Sequence, residues 1–403
     1  MERVEELLSG LNNALTASIS MAHDENHHSG GPRKDASVNN VTLNQSSTAN
    51  TSENSGGETH CFLPPINEGH ALLTEYLRDF NSKVPLLAPE AIYSHVRDCY
   101  SGVAKGIASS WILTYLVFGI AHQLRALSVV TAYNDTSRAE FYLEKCLDSF
   151  TKVLLEEPTE RLVQCLLGVA IMLQHSPRSH RVASFISIAV RMAQELGYNE
   201  AQVSESQDST QGRVKNYLFW ICFFMDTDLS VYALKPSTHK YMDITAALPN
   251  AIDGDWWSTY SESSLDGINI FFLHSSLAIL QAQALEELFS VKANAQPVKQ
   301  RIAFQSITAK LATWRRNSGL VAVTGLQGSD LLHLALLEAT YFRTVYQLEA
   351  SQQIGRFTYR QDMFSHVALR SQRHHQDSKV YEDACRLLLL LASLPAGIAS
   401  LSR

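Results

Sequence analysis

Histidine, cysteine and carboxylate side chains carry most of the chemistry open to a protein, so their spacing is the first thing to weigh. His23, His27, His28, His60 and Cys61 would suit a metal by residue type. They sit among Ser, Asn, Thr and Gly, where nothing fixes the tetrahedral geometry zinc requires. They read as solvated side chains. His175 and His180 are separated by Pro177, which breaks any helix that would align them. Asp226 and Asp228 are two apart and diverge on a helix. Their oxygens cannot converge on a magnesium ion as a helical, metal-dependent enzyme would require. No H-E-x-x-H, G-x-S-x-G, P-loop or dinucleotide-binding glycine pattern occurs. His122, His274 and His333 lie in apolar stretches and read as hydrogen-bonded core residues. The expectation is a protein that is not an enzyme, with no catalytic, cofactor-binding or metal-binding set of its own.

Asp226 is the exception that calls for an account, because it arrives near the end of a strongly apolar run, and a buried carboxylate is costly unless paired. Two elements must position it. The first helix places Val182, Phe185, Ile186, Ala189, Met192, Ala193 and Leu196 at three- and four-residue steps, a single apolar stripe. Gly197 stands where this helix should end, since glycine takes the left-handed conformation there without strain. The second helix carries Val214, Tyr217, Leu218, Ile221, Phe224 and Met225, and Trp220, Cys222 and Phe223 make it apolar nearly all round. That pattern places it at the centre of the core, with Trp220 and Phe224 buried. Arg191 or Lys215 is the expected partner of the Asp226 carboxylate.

Taken together, these segments resemble the middle homology region of fungal-specific transcription factors, the regulatory domain that follows a zinc binuclear cluster. The family pattern is a helix ending in A-x-x-L-G, a basic patch, W-x5-D-R-x2-S, G-R-P, then D-I and a proline. The chain offers Ala193, Leu196 and Gly197; Arg213 and Lys215; Trp220, Asp226 and Ser230; Pro236; Asp243, Ile244, Leu248 and Pro249. Arg191, Leu196, Gly197, Trp220, Asp226, Ser230, Pro236, Asp243 and Pro249 are therefore expected to be structural motif residues. Thr227 stands where the family has arginine, and Leu234-Lys235 replaces Gly-Arg before Pro236. Leu311-x-x-Trp314 and the aromatic run Tyr341, Phe342 and Tyr346 are also similar to late elements of the family.

Composition agrees with a soluble helical domain. The chain has 403 residues and a net charge of −7. Without a dense basic block, strong nucleic-acid binding by the chain alone is not expected. The six cysteines show no C-x2-C spacing and mostly lie inside apolar runs, which fits buried free thiols in a reducing compartment. The N-terminus has no apolar signal segment. The longest apolar runs fall short of the roughly 18 residues a membrane span needs.

The expected architecture is all-α: a single large domain of stacked antiparallel helices, preceded by a short N-terminal helix and a disordered linker. Residues 1–22 carry Val4, Leu8, Leu11 and Leu15 as a two-heptad seam, suited to weak dimerisation. Residues 23–61 are polar and read as the linker. Residues 62–350 form the helical domain, with helices around Leu72–Phe80, Ala91–Cys99, Trp111–Ser128, Arg138–Leu155 and Thr159–Leu173, and, after the pair described, Ile268–Val291, Val298–Arg316 and Leu331–Gln352 capped by Ser329-Asp330. Residues 253–264 read as a loop, and residues 351–403 as a loose segment followed by a C-terminal helix. The resemblance implies a nuclear regulator of RNA polymerase II transcription, of a metabolic or secondary-metabolite pathway. It would act through protein partners, a homodimer or a small-molecule effector. It would meet DNA weakly, or through a zinc cluster lying upstream. The alternatives are a helical interaction module that modulates a complete factor, and an unrecognised all-α enzyme.

Overall fold

The computed structural model describes residues 62–126, 132–176, 179–201, 210–249, 269–290, 293, 296–320 and 328–354. The chain divides into two units, and all described residues except Phe62–Pro64 belong to the unit Pro65–Ala399. The N-terminal seam, the polar linker, the 253–264 loop and the segment from residue 355 onward lie outside the described residues.

Among the described residues the fold is all-α, without a strand. The helices are α1 (Ile66–Glu75), α2 (Pro89–Tyr100), α3 (Ala108–Ala126), α4 (Ala132–Val153), α5 (Glu160–Gln174), α6 (Val182–Glu195), α7 (Thr210–Ala233), α8 (Ile270–Ala284), α9 (Pro297–Asn317) and α10 (Gly328–Ile354). Their starts follow from sequence. Proline opens α2 and α9, where its missing N–H is not needed. The Thr159 hydroxyl accepts from Leu162 N to cap α5, and Asn269 accepts from Phe272 N to cap α8.

Three helices are buried along most of their length. Every residue of Ser110–His122 in α3, Leu162–Leu173 in α5 and Tyr217–Thr227 in α7 is buried. The all-round apolar pattern of α7 thus has two counterparts, and neighbouring helices pack around all three: α3 against α4 and α5, α6 against α5 and α7, α8 against α7. Glycines lie where α3 meets α5. A methyl group added at Gly119 would strike Met172, and one at Gly168 would strike Leu116.

A second apolar cluster joins α8, α9 and α10 through Leu277, Ile307, Leu311, Leu337 and Tyr341. Inside it, Arg315 Nη2 lies 3.0 Å from Glu338 Oε1, and Glu338 is 0% exposed. The guanidinium also faces the rings of Tyr341 and Phe342 at 5.6 and 5.8 Å.

The start of α10 departs from expectation. The helix begins at Gly328, so Ser329 and Asp330 lie in its first turn instead of capping it. Their side chains reach across the fold. Ser329 Oγ donates to Asp79 Oδ1 at 3.1 Å, and Asp330 pairs with the buried Lys83 at 2.9 Å. His333 Nε2 donates to Asp79 O at 3.0 Å. These groups converge because α1 runs on into a π-helical turn, Tyr76–Asn81, which is closed by Ser82 N to Leu77 O at 3.1 Å. The side chain of Asn81 then bonds both Leu87 N and Leu87 O, and this pins the following loop.

Two outcomes follow. Glu338→Ala leaves a buried guanidinium without its counter-charge and should cost about 3–5 kcal/mol in denaturant unfolding, while Arg315→Met/Glu338→Leu should recover most of that loss. Burial lowers the pKa of His95, His122, His239 and His333, the last from 6.5 to about 4. The unfolded chain therefore binds more protons in this range, and stability should fall as pH drops from about 6.5 towards 4. Urea midpoints across that window should show the fall, and His333→Gln should make it smaller.

Candidate functional site

The residues singled out around Asp226 come together where the segment 234–249 is laid over α6 and α7. The site starts with two helix ends of the same geometry. At the end of α6, Tyr198 N reaches Ala193 O at 2.9 Å and Gly197 N reaches Gln194 O at 3.0 Å, with Gly197 at φ 71°. At the end of α7, Lys235 N reaches Ser230 O at 3.0 Å and Leu234 N reaches Val231 O at 3.3 Å, with Leu234 at φ 49°. Both are Schellman closures, which require a left-handed residue. Glycine supplies it at Gly197. At Leu234 a leucine occupies the conformation for which glycine is suited, and the family pattern has glycine at this position.

From Leu234 the chain turns back along α7, and Asp226 holds it. Asp226 Oδ2 accepts from Ser237 Oγ at 2.6 Å and Thr238 N at 2.7 Å, and Oδ1 accepts from Thr238 Oγ1 at 3.0 Å. Arg191 and Lys215 are not its partners. Arg191 is exposed and donates to Gln194 Oε1 at 3.2 Å, and the Lys215 charge acts on Glu160. Hydroxyl and amide donors from the adjacent loop satisfy this carboxylate, where the sequence suggested an ion pair. Asp228, two residues on, points elsewhere, to His274 Nε2 of α8 at 2.8 Å, and the His274 ring stacks on Phe224. Thr227 turns inward, its hydroxyl donating to Phe223 O at 2.9 Å and Phe224 O at 3.1 Å.

Further along, Tyr241 N donates to Glu286, which tethers the segment to the π-helical end of α8, Leu285–Phe289. The residues after Gly197 take up the rest. Asn199 O accepts from Thr245 N at 3.0 Å and Ala246 N at 3.1 Å, while Asn199 Nδ2 donates to Asp243 O at 3.3 Å. Trp220, 2% exposed, donates from Nε1 to Ala247 O at 2.8 Å. Pro249 is buried beyond it, Ser230 is buried, and the side chains of Pro236 and Asp243 are exposed. Leu196 is the half-buried cap of α6. Nearly every contact recruits backbone of the 234–249 segment. Asn199 and Glu286 were missed by sequence reasoning. Asn199 follows the helix-ending glycine, but nothing local marks a chain pairing with residues more than forty positions away.

The chemistry available here is limited. Cys222 lies one turn before Asp226, and burial pushes its thiol far above the ordinary range, so it is no nucleophile near neutral pH. His239 is buried between Phe219 and Phe223; burial, the largest influence, and the Arg191 charge lower its pKa, while Asp226 raises it. Among the described residues no group of three or more His, Cys, Asp or Glu is set to hold a metal ion. Cys99, Cys146, Cys165 and Cys222 are buried free thiols.

The fold and this clasp define an all-helical domain in which the residues around Asp226 hold the chain to itself. The chain belongs to the family described as the fungal specific transcription factor domain, which matches residues 73–316, more than half of its length. It is similar to an ABC-transporter-regulating transcription factor of Aspergillus oryzae, 24% identical over 241 residues, covering 58% of this chain and 26% of the relative. A protein of the same description from Aspergillus fumigatus is 25% identical over 243 residues, with the same coverage. An uncharacterized transcriptional regulatory protein of Schizosaccharomyces pombe is 24% identical over 267 residues, covering 63% of this chain and 39% of the relative. The matched region thus spans well under half the length of these relatives. No solved structure matches the chain.

The two Schellman closures make a direct test. Leu234→Gly should raise stability by about 1 kcal/mol, and Gly197→Ala should lower it by about 1 kcal/mol, since only glycine takes the left-handed region freely. Thermal or urea unfolding of the two variants reads both signs.

Proposed function

We propose that this chain is the regulatory domain of a fungal transcription regulator and acts in the nucleus on RNA polymerase II transcription. The match of the family across 73–316 carries the reading. The names of the relatives support it, since they are described as transcription factors or transcriptional regulators and not as enzymes. Two of those relatives are named for regulating ABC transporters, and genes of export or of a metabolic pathway are the corresponding target class for this chain. The domain works through contacts with other proteins, with a second copy, or with a small effector that biases its packing. It does not read DNA sequence by itself. The clasp around Asp226 keeps the 234–249 segment in one conformation on the outside of the helical core, which is what a constant recognition surface needs.

Fusion of the chain to an unrelated DNA-binding domain, in a fungal host with a matching reporter, tests the reading. Reporter output should change several-fold relative to the binding domain alone. Trp220→Ala, which removes a large buried aromatic at a cost of about 3–5 kcal/mol, should abolish the change. The purified chain should shift duplex DNA only in the roughly micromolar or weaker non-specific range at physiological salt. An inert fusion of the intact, folded chain would sink the regulatory reading, and a tight sequence-specific shift would sink the assignment of DNA recognition elsewhere.

A further inference from the structure

Helix α9, Pro297–Asn317, has the sequence PVKQRIAFQSITAKLATWRRN and contains no Asp or Glu. That is unusual in a chain with 40 acidic and 33 basic residues. Exposed helices ordinarily balance cations with carboxylates three or four residues away. Lys299, Arg301, Lys310 and Arg316 are all exposed. Lys310 Nζ donates to Gln283 Oε1 at 3.0 Å and Arg316 Nη2 to Thr313 Oγ1 at 3.2 Å, both neutral acceptors. None of the four forms an ion pair with a described carboxylate, although Glu287 is exposed on the adjoining π-helical segment. Two nearby acids are engaged, the buried Glu338 by Arg315 and the half-buried Glu286 by Tyr241 N.

Between these cations runs an apolar line. Val298 is 74% exposed and Ile302 62% exposed, and the small Ala309 lies on the same line seven residues beyond Ile302, with Arg316 at its far end. From Val298 to Arg316 this face is about 27 Å long at 1.5 Å per residue. The opposite face, with Ile307 and Leu311, is committed to the core. The outer face therefore pairs two features: branched aliphatic groups in water, and positive charge that no described carboxylate pairs with alongside them. Phosphate would satisfy the charge and leave Val298 and Ile302 wet. A segment with both carboxylates and aliphatic side chains satisfies both, and the small Ala309 lets a second helix approach closely.

We propose that the outer face of α9 is a docking surface for an acidic amphipathic helix of a partner protein. Leucine-type side chains of the partner lie on Val298 and Ile302, and its Glu or Asp side chains face Lys299, Arg301, Lys310 and Arg316. This surface is remote in kind from the Asp226 clasp, and the proposal stands independently of the transcriptional reading.

The test uses the full chain and a fluorescent synthetic peptide of about five helical turns, with Glu and Leu at helical spacing. Anisotropy titration should give a roughly micromolar Kd, weakening several-fold as salt rises from about 50 to about 200 mM. Arg301→Glu/Lys310→Glu and, separately, Ile302→Asp should each weaken binding about tenfold or more, with unfolding midpoints unchanged. All three positions are solvent-exposed, so the two variants check one another. A scrambled peptide of identical composition should bind at least several-fold more weakly. Equal binding of the scrambled peptide would overturn the proposal, leaving only a diffuse charge effect. Displacement of the peptide by a duplex oligonucleotide at lower concentration would overturn it in favour of a nucleic-acid surface. Self-association in sedimentation that Ile302→Asp abolishes would overturn it in favour of a second copy. Unaltered peptide binding in both variants would overturn it outright.

Discussion

Much of this structure depends on a carboxylate that cannot remain both buried and unsatisfied. Asp226 sits at the end of the most apolar stretch of α7, and leaving its charge without donors would cost several kcal/mol. The donors it finds are not distant cations. They are Ser237 Oγ, Thr238 Oγ1 and Thr238 N, all on the segment that follows its own helix. Satisfying one buried acid therefore fixes where the chain goes next. Because Leu234 must reverse the chain for Ser237 and Thr238 to arrive, a left-handed leucine is tolerated at φ 49°. The strain of that residue, about 1–2 kcal/mol, is outweighed by the donors it delivers. Trp220 and Asn199 then secure the far end of the same segment. A set of residues scattered from 193 to 249 behaves as one mechanical unit.

The second half of the domain follows the same logic with a different chemistry. Where the 234–249 segment is held by neutral donors to one acid, α10 is held by charge pairs: Lys83 with Asp330, and Arg315 with Glu338. Buried ion pairs contribute little net stability but penalise any arrangement that separates the partners. The first pair joins α10 to an element near the start of the domain, far away in sequence, and the second joins it to α9, the helix before it. The family match ends at residue 316. These contacts, and the packing of Leu334, Leu337 and Tyr341 into the α8–α9 cluster, nevertheless make α10 part of the same core.

What was legible in the sequence was what local periodicity and end signals encode. The apolar stripes located the helices, Gly197 marked an end, Thr159 marked a start, and the all-round apolar pattern put Trp220 in the interior. The errors share one cause. Arg191 looked like the partner of Asp226 because a cation on a neighbouring helix is the obvious solution to a buried acid, yet the solution came from hydroxyls eleven and twelve residues downstream. Ser329 and Asp330 looked like a cap because those residue types favour caps, yet their partners are Asp79 and Lys83, some 250 residues earlier in the chain. The π-helical turn that orients Lys83 had no sequence signal. Side chains whose partners are non-local cannot be assigned by a reading that sees only neighbours.

The departure at Leu234 shows what a motif match does and does not carry. The family pattern places glycine there for a conformational reason, and the chain keeps the conformation while losing the glycine. Pro236 and Asp243 keep their identity, and Pro236 shapes the segment through its backbone. The conserved-looking letters of the motif are thus instructions for building a surface. Since Asp226, Trp220 and Asn199 spend their hydrogen-bonding capacity on the chain itself, the side chains left to meet other molecules are those that the framework holds outward. Tyr232, Met242, Val298 and Ile302 are such side chains, each more than half exposed on an element anchored beneath it.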